Sequence, residues 1–427
     1  THPFGWGTVL MIGMRFGGGE IGVDSDADGT DDLTLRSSYM LFDVTDPEQP
    51  PTLIAEISDA NLGFTTSVPT VVKKRVKGTN FVNPSQNEWY VAFGSGPTEL
   101  PDASSTQTSG LYLYDLSART FVSGYNPFPL ETNGFVGDVT SFDDGGDFVD
   151  DTLYFGTVRG VPGSSSGNLM RSRLDIGANA SVLLSASGPI VAAPHVKSDI
   201  FGRRWVHAGS GRLFMGDDNE TTQARHFYGV MEPLDSSGDL TWAAVSPSSN
   251  FEDATNITVQ DSGAINRAGA TVVIGGEDIE TFDELVSAIR LERDGWKISL
   301  FTAGYAERSL SKAASASNVL FFSSYQPAFG NPCFPEGTSR LFGVDMRTGT
   351  AIPFEVFAPD DDPDTVEYND VDAYVSLGQG LASAPIVIQN DGTTIFNSKS
   401  TTEQITTDVR VNHTRAGRQS WRQIFLD

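Results

Sequence analysis

The chain has 427 residues, with 28 Lys and Arg against 55 Asp and Glu, a net charge of −27. A surface this negative repels phosphate and excludes nucleic acid as a partner, while 39% hydrophobic residues are enough for a packed core and exclude a disordered acidic tail. The apolar runs fall far short of the ~20 residues a membrane-spanning helix needs.

Taken in order, the chain reads as short β runs punctuated by Gly, Pro, Ser, Asn and Asp, with 44 Gly and 22 Pro setting the turns. The first run, 6–14, begins almost at once behind Thr1, with neither initiator Met nor signal peptide, which suggests a processed or truncated piece. Three kinds of run then recur in a fixed order. A small residue, Pro and β-branched residues open the unit at 67–71 (SVPTV), 193–196 (APHV) and 384–387 (APIV). An aromatic run ending in small residues follows at 89–96, 153–157, 205–211 and 319–323. An alternating run, often ending in Asp, closes it at 39–44, 111–116, 168–175, 227–231 and 340–346.

Such units cannot bury both faces alone, so they stack around a channel. The expected fold is all-β, a modified β-propeller of about six to seven blades with long loop insertions, forming a single domain over 1–427. Units fall near 6–46, 64–117, 136–175, 188–232, 298–347 and 380–427. The first lacks its inner strand, which the C-terminal strands or an upstream segment would supply. A pair of β-sandwiches is the rival reading; it explains the strands but not their order. Small residues ending the aromatic runs are expected to let neighbouring blades approach. Insertions are expected at 99–109, at 233–297 between blades, and at 359–372. The one helical periodicity is 283–291 (DELVSAIRL).

Residues 24–32 (DSDADGTDD) have the form D-x-D-x-D-G-x-x-D. Alternate carboxylates of Asp24, Asp26 and Asp28 point into one concavity, Gly29 permits the turn, the Thr30 carbonyl is a ligand and Asp32 closes the shell. Hard oxygen ligands at that spacing suit Ca²⁺, whereas Mg²⁺ takes fewer protein oxygens. Leu35 stands where an EF-hand has Glu, so the loop is shortened. A second loop, 143–151 (DDGGDFVDD), offers Asp143, Asp147 and Asp151 with the Val149 carbonyl, but Gly145 at the third position; Asp144 or water would complete the shell. A third acidic run, Asp360 to Asp364, lacks the alternation and reads as a solvated loop.

Signatures of catalysis are missing. The five His (2, 195, 207, 226 and 413) show no zinc spacing, and His195 and His207 fall in strands as packing residues. No nucleophile elbow or phosphate loop occurs, and Cys333, the single Cys, lies in a turn with no disulfide partner in the chain.

The opening His2-Pro3-Phe4-Gly5-Trp6-Gly7, Gly17-Gly18-Gly19, Phe42-Asp43-Val44-Thr45-Asp46-Pro47, Gly63-Phe64-Thr65-Thr66-Ser67 and Phe93-Gly94-Ser95-Gly96-Pro97 form an ordered series. It continues through Leu153-Tyr154-Phe155-Gly156, Gly209-Ser210-Gly211-Arg212, Phe227-Tyr228-Gly229, Gly295-Trp296 and Pro332-Cys333 to Ser339-Arg340-Leu341-Phe342-Gly343-Val344-Asp345. The series resembles the C-terminal propeller of the PilY family, the type IV pilus tip-associated adhesins, over nearly the whole chain. The resemblance implies an exported protein, the C-terminal part of a larger precursor, at the pilus tip, in the periplasm or on the outer membrane. It implies minor pilins as partners, and roles in pilus assembly, extension and retraction control, and adhesion to host or abiotic surfaces. The family's calcium loop corresponds by position to 143–151. Its N-terminal adhesive region is absent from this chain, leaving that region or a companion chain as a further partner.

The reading is therefore a non-enzymatic, calcium-binding tip protein with no transmembrane segment. The alternatives are a propeller enzyme of quinoprotein or glycan-active type, against which the six scattered Trp argue, and a structural subunit of another extracellular filament.

Overall fold

A strand sends successive side chains to opposite faces, and the aromatic runs of this chain are apolar on both. Such a strand is stable only between two layers. The computed structural model describes residues 7–75, 87–246, 250–301, 303–328, 336–357, 370–389, 393–399, 404–409 and 411; Cys333, His2, His413 and the run from Asp360 to Asp364 lie outside them.

Among the described residues the chain is all-β with one α-helix, and its larger sheets follow one another along the sequence. The first contains β1 (Val9–Gly13), β4 (Tyr39–Asp43) and β5 (Thr52–Ile57), with the hairpin β2 (Ile21–Val23) and β3 (Leu33–Leu35) inserted after β1. The second contains β6 (Thr70–Arg75), β7 (Asn87–Gly94), β8 (Gly110–Asp115), β9 (Thr120–Phe121) and β10 (Phe128–Pro129). The third is the meander β11 (Gly134–Phe142), β12 (Thr152–Arg159), β13 (Gly167–Arg173) and β14 (Ser181–Ala186).

In the fourth sheet, β15 (His195–Ser198), β16 (Arg204–Gly209) and β17 (His226–Met231) are followed by the insertion. This carries β18 (Phe251–Asp253), β19 (Ile257–Val259), β20 (Ile265–Arg267), β21 (Val272–Ile274), β22 (Glu277–Ile279) and α1 (Phe282–Glu292) before β23 (Gly295–Ser299) returns. The fifth sheet is β24 (Ala314–Ala316), β25 (Val319–Gln326), β26 (Thr338–Asp345) and β27 (Tyr374–Gln379); the sixth is β28 (Ile386–Gln389), β29 (Thr393–Ser398) and β30 (Gln404–Val409).

Five hydrophobic clusters join these six sheets in consecutive pairs. On β7, Val91 and Phe93 pack with Tyr39 and Ile57 of the first sheet, while Tyr90 and Ala92 pack with Val136, Leu153 and Phe155 of the third. The alternation repeats down the chain: Tyr154 and Leu169 turn to Val206 and Tyr228, Trp205 and Phe227 to Leu320 and Phe322, Val319 and Phe321 to Ile395 and Val409. Phe322 stacks between Phe227 at 3.7 Å and Phe342 at 4.5 Å. Among the described residues, no strand pairing or core cluster joins the sixth sheet to the first.

The small residues closing the aromatic strands act as expected. A Cβ on Gly94 would lie 2.2 Å from Val136 Cβ, one on Gly156 2.2 Å from Ile190 O, and one on Gly209 2.3 Å from Ser309 Cβ. Each contacted residue begins the next sheet or leads into it. Backbone bonds form there too, Val136 N donating to Ser95 O at 2.8 Å and Ile190 N to Thr157 O at 3.2 Å.

From residues 233–297, expected as an insertion between blades, two strands join the fourth sheet, β23 pairing antiparallel with β17 and β18 adding to β23 in parallel, while β19–β20 and β21–β22 form separate hairpins. The helix spans Phe282–Glu292, close to the periodic stretch, and buries Phe282, Leu285, Val286 and Ile289. Its start is fixed by a capping box in which the Thr281 hydroxyl accepts from Glu284 N at 3.4 Å and the Glu284 carboxylate accepts from Thr281 N at 3.1 Å. Thr281→Ala is expected to cost about 1 kcal/mol, read as a lower urea midpoint with an unchanged slope.

Candidate functional site

The two regular acidic loops both connect adjacent antiparallel strands, 24–32 between β2 and β3 and 143–151 between β11 and β12. In the first, carboxylates saturate the turn's own N–H groups. Asp24 Oδ2 accepts from Gly29 N at 2.7 Å, Asp24 Oδ1 from Asp28 N at 3.1 Å, and Asp28 Oδ1 from Thr30 N at 2.8 Å. Ala27 and Gly29 take φ of +62° and +92°, the left-handed region that lets the chain curl inward. The carboxyl of Asp24 is held below its usual range chiefly by the Gly29 N–H, that of Asp28 by the Thr30 hydroxyl and that of Asp32 by the Ser25 hydroxyl.

Ligand oxygens of Asp24, Asp26 and Asp28 all lie within 4.8 Å of one another, the one such acidic trio among the described residues. Oxygens bound to Ca²⁺ at about 2.3–2.6 Å lie at most about 5 Å apart across the ion, so the spacing of the trio is compatible with this cation. Asp32 stands apart, accepting from Ser25 N at 3.0 Å and Ser25 Oγ at 2.7 Å.

The second loop repeats three of the first loop's carboxylate-to-backbone bonds. Asp143 Oδ2 accepts from Phe148 N at 2.6 Å, Asp143 Oδ1 from Asp147 N at 3.2 Å, and Asp147 Oδ1 from Val149 N at 3.0 Å. Asp151 takes the place of Asp32, accepting from Asp144 N at 2.8 Å, and Gly146 and Phe148 both have φ of +64°. With Gly at the third position no acidic trio forms. Two further ties are particular to this loop. Asp150 exchanges bonds with the backbone of Lys73 in β6, at 2.7 and 2.9 Å. Burial pushes the Asp151 carboxyl up.

Asp144, which the sequence offers as a completing ligand, is ion-paired with Arg204 instead. Arg204 Nη1 donates to the Tyr154 hydroxyl at 3.0 Å, which donates to Glu232 Oε1 at 2.7 Å; Glu232 Oε2 accepts from Arg171 Nη1 at 2.8 Å. Arg171 ends the chain, donating to Ala243 O at 2.9 Å and lying over the Trp242 ring at 5.3 Å. Arg171 and Glu232 have no exposed side-chain surface. Burial raises the Glu232 carboxyl and lowers the Arg171 guanidinium, each opposed by its partner. Sequence reasoning missed these four residues, although arginines inside the apolar runs 169–173 and 204–208 were a visible signal.

His195 and His207 are packing residues. His207 Nε2 is 2.8 Å from Met346 O with its ring parallel to Trp205, and His195 Nε2 is 3.1 Å from Ser315 Oγ.

No family model matches the sequence, and no curated protein matches it. Among solved structures, it is similar to the crystal structure of the Pseudomonas aeruginosa PilY1 C-terminal domain, with a TM-score of 0.62 and 18% identity over 96% of this chain and 82% of that one. The stack of sheets that positions both acidic loops is thus similar in fold to the PilY1 C-terminal domain along nearly the whole of this chain.

Proposed function

We propose that this chain is the non-enzymatic, calcium-binding propeller of a type IV pilus-associated protein, exported and carried at the pilus tip. The six stacked sheets are its blades. It docks on minor pilins, supports assembly and surface adhesion, and couples Ca²⁺ to extension and retraction. The fold shared with the PilY1 C-terminal domain carries this reading, and the Asp24, Asp26 and Asp28 trio supports its calcium part.

The loops divide the work. The first would hold Ca²⁺ through Asp24, Asp26, Asp28 and the Thr30 carbonyl, with Asp32 released from Ser25 or bridged by water. The second, through Asp143, Asp147, Val149 and Asp151, is the weaker site, because the Arg204 guanidinium already supplies a positive charge beside Asp144.

Asp26→Asn is expected to weaken Ca²⁺ binding by more than about tenfold in calorimetric titration, and Asp147→Asn to change the total less. Chelator should lower the melting temperature and open residues 24–32 to protease. Unchanged melting and proteolysis in excess chelator would end the calcium assignment. Failure to capture purified minor pilins, with calcium present, would end the pilus assignment separately.

A further inference from the structure

Where the loops of the second, third and fourth sheets meet the lead-in to the fifth, three arginines and one aspartate are sealed from solvent. Arg212, Arg225, Arg308 and Asp218 are each at most 1% exposed. Asp218 is committed: its Oδ1 is 2.6 Å from Arg212 Nε, and its Oδ2 accepts from Phe214 N at 2.9 Å and Met215 N at 3.1 Å. Arg212 also donates to Gly160 O at 3.2 Å and to Asp102 O. Arg308 spends its donors on the carbonyls of Ala306, Arg212 and Asp218, at 2.5–3.2 Å.

Arg225 differs. Among the described residues its side chain makes one protein hydrogen bond, from Nη2 to Ser165 Oγ at 3.2 Å. Both Nε and Nη1 are buried without a protein partner, and among the described residues no other arginine has a terminal nitrogen in that position. Gly188 packs against this side chain: a Cβ there would lie 2.5 Å from Nη1, so the absence of one is what lets the guanidinium seat at this place. Three guanidinium groups thus surround one buried carboxylate, Asp218, with the Asp102 carboxylate reaching only Arg212. Burying an unpaired charge costs several kcal/mol unless a counter-charge or directed donors and acceptors offset it.

We propose that Arg225 is the centre of a small-anion site, with Ser165 Oγ as a second donor and Arg212 and Arg308 supplying positive potential. A group this deeply buried admits only a small anion, of the class of a halide. In so acidic a protein the exposed surface gives little attraction for anions. Burial and the neighbouring Arg308 lower the Arg225 guanidinium to about 10, still charged at neutral pH. The site is independent of the calcium loops and of any pilus partner.

The test is thermal melting of the whole chain in sodium chloride, sodium bromide and sodium gluconate at equal ionic strength, with chelator present to silence the acidic loops. Chloride and bromide should raise the melting temperature above gluconate, saturably, and the difference should vanish in Arg225→Gln. If that variant does not fold, Ser165→Ala, which removes one donor and leaves the charge, should weaken the apparent halide affinity severalfold. Bromide-soaked crystals should show an anomalous peak beside Arg225. Identical melting in all three salts, or a halide effect undiminished in both variants, would overturn the proposal. So would a bromide peak only elsewhere.

Discussion

Replacing Glu232 with alanine is expected to lower the unfolding free energy by about 3–5 kcal/mol, because breaking a buried ion pair from one side strands the other charge. Arg171, with no exposed surface, would keep only the Ala243 carbonyl at 2.9 Å and the Trp242 face. The Tyr154 hydroxyl would lose its acceptor as well. Removing both partners should recover most of the loss: in Glu232→Leu with Arg171→Met no charge is left stranded, and packing takes over. Urea titrations of the two single variants and the double variant measure this directly. A double variant as unstable as Glu232→Ala would mean that the pair contributes shape rather than charge compensation. Emission from Trp242 should shift in the Arg171 variant, since the guanidinium lies on its ring.

A second large effect is set by acid. Burial holds His207 at about 4 and His195 at about 3, both far below the usual 6.5, with neighbouring positive charge adding to the depression. In the unfolded chain each takes up a proton near 6.5, while the folded chain refuses it. Stability is therefore whole above about 6.5 and falls as the pH drops toward 4, by on the order of 3 kcal/mol for His207 alone. His195, Lys197 and Lys312 face the same space, so no carboxylate rescues the imidazolium. Asp138 opposes this trend, since burial raises it to about 6 and its contribution improves as the pH falls from 6 toward 4. His207→Gln should accordingly flatten the stability curve between 6.5 and 4, and Asp138→Asn should steepen it. A His207 variant with the wild-type slope would show that other groups govern acid sensitivity.

The sheets were legible because both faces of their central strands are buried: a run such as Tyr90 to Phe93 cannot be mistaken for a surface element. The outer strands were not. Thr52–Ile57 and Tyr374–Gln379 are half exposed and carry no clean alternation, so the recurring units were read as ending one strand early. The return of the insertion into the fourth sheet was hidden for a related reason. Nothing in Gly295–Ser299 says that its partner lies in β17, more than sixty positions back. At the acidic loops, spacing alone brought Asp24, Asp26 and Asp28 together. It could not show that Asp32 turns to Ser25 or that Asp144 leaves its loop for Arg204, because those outcomes depend on a hydroxyl and a guanidinium competing for the same carboxylates. The arginine cluster around Arg225 was invisible for the same reason: its members come from separate loops and meet only in three dimensions.

The chain-order stacking also bears on how the molecule carries load. With five clusters joining six sheets among the described residues, a pull between the first sheet and the sixth loads these joints together with contacts that tie non-neighbouring sheets, such as Phe16 against Phe214 at 5.8 Å and Lys312 Nζ donating to Thr140 Oγ1 at 2.8 Å. The Phe227, Phe322 and Phe342 stack makes the joint between the fourth and fifth sheets a strong one, so stretching should peel the ends before it opens the middle.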